Sequence, residues 1–118
     1  MPSPLLSYSI GTVPFHSAYQ RAIHFVRHGH EFGAANEFDY EQMADAFMAA
    51  PIHRDLHEGL RTRRSGDVDR IRCHSVTRHF GVVYNVVTLR TYYIVGISKI
   101  RKHGGAAGFV VAECAKVR

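Results

Sequence analysis

Apolar and polar positions follow two different periods along this chain. From Ser17 onward, Tyr19, Ala22, Ile23 and Val26 recur at i, i+3, i+4 and i+7, the spacing of an amphipathic helix. Ser17 and Gln20 form a capping box, with the hydroxyl accepting the Gln20 amide hydrogen, so a helix is expected to start here and bury that stripe. On the opposite side of the wheel fall Gln20, His24, Arg27, His28 and Glu31, which puts two imidazoles and a carboxylate on one face. Gly29 costs about 1 kcal/mol in a helix interior. The helix either ends there, leaving His30 in a loop, or continues with His30 in the stripe.

A second helix is signalled by Asp39 as N-cap, Gln42 at N3 and a Phe38/Met43 staple. Its buried stripe is Tyr40, Met43, Ala44 and Phe47, and Pro51 stops it after Ala50. Glu41 and Asp45 read as its solvated face. Residues 52–66 are polar, without a sustained period, and read as a connecting loop. The pattern then turns to β-branched and aromatic runs, with strands expected at Val68 to Cys73, Phe80 to Tyr84, Leu89 to Ile97 and Phe109 to Ala112. The expected fold is α+β: two N-terminal helices packed on an antiparallel sheet of three to five strands. One domain spans 1–118, with an N-terminal arm over 1–16, a two-helix region over 17–50 and a sheet region over 67–118.

From a length of 118 residues, a single core and one site are expected. No apolar run approaches the ~18 residues of a membrane span, and the N-terminal stretch, without a basic region and broken by two prolines, does not read as a signal peptide. Cys73 and Cys114 match no metal or redox spacing and read as buried thiols. Charge changes the picture more. Residues 1–59 hold three Lys/Arg against seven Asp/Glu, and residues 60–118 hold twelve against three, an excess of nine positive charges in the second half. Such a surface attracts polyanions through counterion release, and nucleic acid or another phosphate ligand is the partner to expect.

Candidate phosphate-binding residues follow from that asymmetry. Arg61, Arg63 and Arg64 cluster in the polar stretch, while Arg70 and Arg72 share one face of a strand and need an anionic partner or open water. Lys99, Arg101 and Lys102 precede Gly104 and Gly105 in what reads as a mobile hairpin connection, with neither dinucleotide nor Walker spacing. His53, His57, His74, His79 and His103 read as surface residues.

Three blocks, HFVRHGHEFG at 24–33, DYEQMADAF at 39–47 and GDVDRIRCHSVTRHFGVVYNVVTLRTYY at 66–93, together resemble small bacterial ribonuclease toxin domains. The family is the barnase/endonuclease/colicin/RelE-like (BECR) superfamily, as found in polymorphic and contact-dependent inhibition toxins. The resemblance carries His24, His28, Glu31, Tyr40, Arg72, Thr77, Phe80, Thr91 and Tyr92 onto the family pattern. One departure is that Val86 and Val87 stand where the pattern has an Asp-Gly turn, and Val87 is poorly suited to the positive φ such a turn wants. A longer or bulged hairpin is therefore expected.

Cleavage of RNA by its own 2′-hydroxyl needs a base, an acid and a cation at the phosphorane. His28 and Glu31 are the candidates for proton transfer, Arg72 for the phosphate and Thr91 as a hydroxyl donor, with His24 sharing or orienting. The expectation is one cleft combining all of them, with no metal and no cofactor. Two alternatives remain: a non-catalytic nucleic-acid-binding module or phage or mobile-element accessory protein, and a zinc site on His24 and His28. The resemblance implies a cognate inhibitor protein as partner, no membrane, and a location in the cytoplasm or delivery to the cytoplasm of a target cell.

Overall fold

The computed structural model describes residues 13–85 and 87–118. Among the described residues, four helices flank a four-stranded antiparallel meander in three layers. In chain order these are α1 (Ala18–His28), a 3-10 turn (Gly29–Phe32), α2 (Glu37–Ala49), β1 (Leu56–Thr62), β2 (Val68–His74), β3 (His79–Tyr84), β4 (Thr88–Ile94), α3 (Ile97–Lys102) and α4 (Ala106–Cys114). The sheet order is β1-β2-β3-β4. The α+β fold, with two N-terminal helices on an antiparallel sheet, is as expected. Of the N-terminal arm, residues 1–12 lie outside the described residues.

Residues directly opposite in neighbouring strands share a face. Arg72, Gly81 and Tyr92 therefore lie on the face toward α1 and α2, and Cys73, Phe80 and Tyr93 on the face toward α4. The first face, with Phe15, Val83, Leu89 and Tyr92, closes over Tyr40, Ala44 and Met48. The second, with Ile71, Cys73, Phe80 and Val82, closes over Phe109 and Val110. The edge of β4 is covered at two points: Leu89 N donates to Pro14 O at 2.8 Å and Ile94 N to the Glu31 carboxylate at 2.8 Å. An edge closed in this way offers few unpaired backbone groups to another strand.

Several expectations are corrected. Ser17 does cap α1, its hydroxyl accepting from Gln20 N at 3.1 Å, but the helix faces the other way. Tyr19 and Val26 are 70% and 77% exposed, and Phe25 enters the core. Phe25 and Phe32 both pack on the Tyr40 ring, and Phe32 also stacks on Tyr92 with centroids 4.0 Å apart, aromatic contacts that the aliphatic stripe does not make. The N-cap of α2 is Asn36, which accepts from Asp39 N at 2.8 Å while the Asp39 carboxylate accepts from Ala35 N at 2.9 Å. Phe38 is exposed and lies under Arg21. Glu41 and Asp45 are not a solvated face: they accept from Phe15 N at 2.9 Å and Val13 N at 3.2 Å.

Residues 56–62, read as loop, form edge strand β1, whose Gly59 admits the Cys114 and Val110 side chains. The strand expected at Phe109 to Ala112 is helix α4: Ala106, Phe109, Val110 and Glu113 recur on the helical period, and these are its buried residues. Lys99 to Lys102 belong to helix α3 and not to a hairpin. His79, expected at the surface, is half-buried against Phe32, Phe47 and Tyr92, and burial lowers its pKa. Both cysteines are free thiols, Cys73 buried with its pKa pushed up to about 12.

Candidate active site

The carboxyl end of α1 and the turn after it bring His28 and Glu31 to the rim of the sheet. His28 Nδ1 lies 2.6 Å from Glu31 Oε2, and the second oxygen of the same carboxylate holds Ile94 N of β4. Glu31 is thus fixed at both oxygens. The His28 ring in turn stacks on Tyr93, with centroids 5.2 Å apart and planes tilted by 28°. A carboxylate on Nδ1 selects the tautomer in which Nε2 is bare and free to take a proton.

Tyr93 connects this pair to a cleft between the sheet and α4. The cleft, of about 170 Å³, is lined by Arg61, Arg63, Arg90, Arg118, Thr91 and Tyr93, with Tyr84 and Glu113 on its walls. Thr91 reaches it because strand side chains alternate, so Thr91 and Tyr93 share a face. Arg90 reaches it through a β-bulge: Val82 pairs with Thr91 and Val83 with Leu89, which leaves Arg90 without a partner in the ladder. The hairpin beyond is irregular too. Tyr84 pairs with Thr88, and Asn85, not Val87, takes the positive φ, at 51°. Val86 lies outside the described residues.

Arg72 is not brought to His28. It lies on the opposite face of the sheet from Thr91, 5% exposed, and donates to Ala50 O at 2.6 Å, to Phe47 O at 3.1 Å and to Glu58. Arg70 donates to Met48 O at 2.5 Å and to Glu58 at 3.1 Å. Both arginines thus satisfy the free carbonyls of the last turn of α2, which ends without a glycine cap.

Arg61 and Arg63 both pair with the fully buried Asp69, at 3.1 Å, and Arg63 also donates to the Tyr84 hydroxyl. Arg64, Lys99, Arg101 and Lys102 are exposed. Of the remaining residues on the family pattern, Tyr40 is buried and donates to Tyr92 O, Phe80 and Tyr92 are core, and Thr77 sits in the β2–β3 turn.

His24 stacks on Phe15, with centroids 5.2 Å apart, and its Nδ1 is buried without a hydrogen-bond partner among the described residues. Burial, with help from the charges of His28, Arg27 and Arg90, lowers its pKa to about 4. It is neutral at pH 7. Its ring lies 6.4 Å from that of His28, and no group of three His, Cys, Asp or Glu side chains converges as metal ligands among the described residues.

Arg90, Tyr93, Arg118, Tyr84 and Glu113 were not candidates from the sequence. Thr91 and Tyr93 at i and i+2 were a readable signal, whereas the bulge that turns Arg90 to their side and the helix that supplies Glu113 were not. No family model, no curated protein and no solved structure matches the chain.

Proposed function

We propose that this protein is a metal-independent ribonuclease of the toxin type, with His28 as its proton-transfer residue. The observation that carries the reading is the His28 ring, held at Nδ1 by Glu31 and stacked on a tyrosine that also walls an arginine-lined cleft. His28 Nε2 takes the proton of a ribose 2′-hydroxyl; the new O–P bond forms as the bond to the 5′-oxygen breaks, giving a 2′,3′-cyclic phosphate. Glu31 positions the ring and stabilises the imidazolium and does not itself act as a free base. Tyr93, its pKa raised to about 12 chiefly by burial, stays protonated and can donate to the leaving oxygen. Arg90 and Thr91, and not Arg72, stand on this side of the sheet.

The test is cleavage of a ribo-oligonucleotide in EDTA, with product ends identified. His28→Ala should lower the rate by about 10²–10⁴-fold with the fold intact by circular dichroism. No cleavage by the wild type, or full cleavage by the variant, overturns the reading. A toxin of this kind acts in the cytoplasm, its own or a target cell's, and calls for a cognate inhibitor protein. One observation favours the second reading, a nucleic-acid-binding module without chemistry: Arg72 is wholly engaged by Glu58 and the α2 carbonyls. Salt-dependent RNA binding without cleavage would establish it.

A further inference from the structure

The cleft holds more positive charge than its own carboxylates engage. Arg61 and Arg63 share Asp69, and Arg63 also meets Asp67 at 3.3 Å. Glu113, 9% exposed, is met by Lys116 Nζ at 2.5 Å. Arg90 and Arg118 have no carboxylate partner among the described residues, and both are exposed at the same cleft. Two arginines bear on the Tyr84 ring, Arg63 with its guanidinium carbon 3.4 Å from the centroid and Arg90 at 5.5 Å. Both distances are within cation–π reach of the ring.

We propose that the cleft is a phosphomonoester site, taking the dianionic terminal phosphate of a nucleotide or of an RNA end. Two free guanidiniums match a dianion, whereas a backbone diester brings one charge per phosphate. The volume of about 170 Å³ is below the ~300–1,000 Å³ of pockets that enclose a whole small-molecule ligand. It suits one phosphate and its ester carbon, with the remainder outside. Thr91 supplies a neutral donor. The proposal rests on the ribonuclease reading only for RNA as a source of the ligand.

Calorimetric titration of the full chain with adenosine 5′-monophosphate, and separately with dimethyl phosphate, tests the charge match. The monoester should bind and the diester should bind at least about tenfold more weakly. Arg90→Gln and Arg118→Gln, both at exposed positions, should each weaken monoester binding by at least about tenfold. Arg54→Gln, which removes a fully exposed charge ahead of β1 and away from the cleft, should leave it unchanged. Equal affinity for the diester, or no effect of either arginine variant, overturns the proposal. Oligoribonucleotides with a 5′-phosphate and a 5′-hydroxyl separate the sources. Tighter binding of the phosphorylated one assigns the site to RNA ends, and monoester binding without that preference assigns it to free nucleotides. Monoester binding in a protein that cleaves no RNA keeps the site and removes the ribonuclease, and cleavage without monoester binding does the reverse.

Discussion

Arg72 of β2 donates to the carbonyl oxygen of Ala50, the C-cap of α2, at 2.6 Å. A strand arginine thereby does the work that a C-terminal glycine motif does elsewhere, since α2 runs into Pro51 with its last carbonyls free. Glu58, directly opposite on β1, balances the charge. Replacing Arg72 by Leu should lower stability by about 3 kcal/mol, because a mostly buried ion pair and two charged hydrogen bonds go together. The urea midpoint measures this, and RNA cleavage per folded molecule should stay at the wild-type level. Lost cleavage at unchanged stability would return Arg72 to the phosphate.

Glu31 joins two functions in one carboxylate, positioning His28 and closing the β4 edge through Ile94 N. Glu31→Gln keeps an acceptor for Ile94 N and loses the charge that stabilises an imidazolium. It should cost about 10²-fold or more in kcat with little change in KM. Glu31→Ala should add a stability loss of about 1–2 kcal/mol from the orphaned amide. Steady-state kinetics set beside thermal melts distinguish the two variants, and equal kcat for Glu31→Gln and wild type would remove Glu31 from the site.

Much of the frame was readable in the sequence because it depends on local signals. The Ser17 cap, the Pro51 stop and the β-branched runs of β2, β3 and β4 each act within a few residues. The failures have a common cause. Which face α1 buries was settled by Phe25 and Phe32 against Tyr40 and Tyr92, contacts between distant parts of the chain. Strand β1 lacks β-branched residues apart from its last, Thr62, and is held by pairing with β2. Placing His28 and Glu31 at the carboxyl edge of the helix followed from the sequence, since i and i+3 meet on any helical turn. The partner cations did not, because a one-residue bulge decides which side of the sheet Arg90 takes.

Gly108 marks where the α3–α4 turn folds back most tightly. A Cβ there would stand 1.9 Å from the carbonyl oxygen of His103, a backbone atom with no rotamer to move aside. Gly108→Ala should therefore destabilise by about 3 kcal/mol, at the upper end of overpacking costs, despite the better helix propensity of alanine. Chemical denaturation checks it. A neutral or stabilising result would show that the α3–α4 turn relaxes freely away from the sheet.

His24 makes stability depend on pH. Its folded pKa of about 4 lies below the 6.5 of the unfolded chain, so between those values the unfolded state binds more protons. The contribution of His24 is fully present above pH 6.5 and is lost as pH falls toward 4. Burial beside Phe15 is the main cause, and the charges that face the ring, those of His28, Arg27 and Arg90, act in the same direction. Discounted for a site that is only half-buried, the loss is on the order of 2 kcal/mol. His79, also shifted down by burial, adds to the same slope. His24→Phe keeps an aromatic ring against Phe15 and removes the titration together with the unpartnered Nδ1. Urea midpoints from pH 7 to pH 4 should fall less steeply for this variant than for the wild type, with no loss at pH 7. Parallel curves for the two proteins would show that His24 does not carry the dependence.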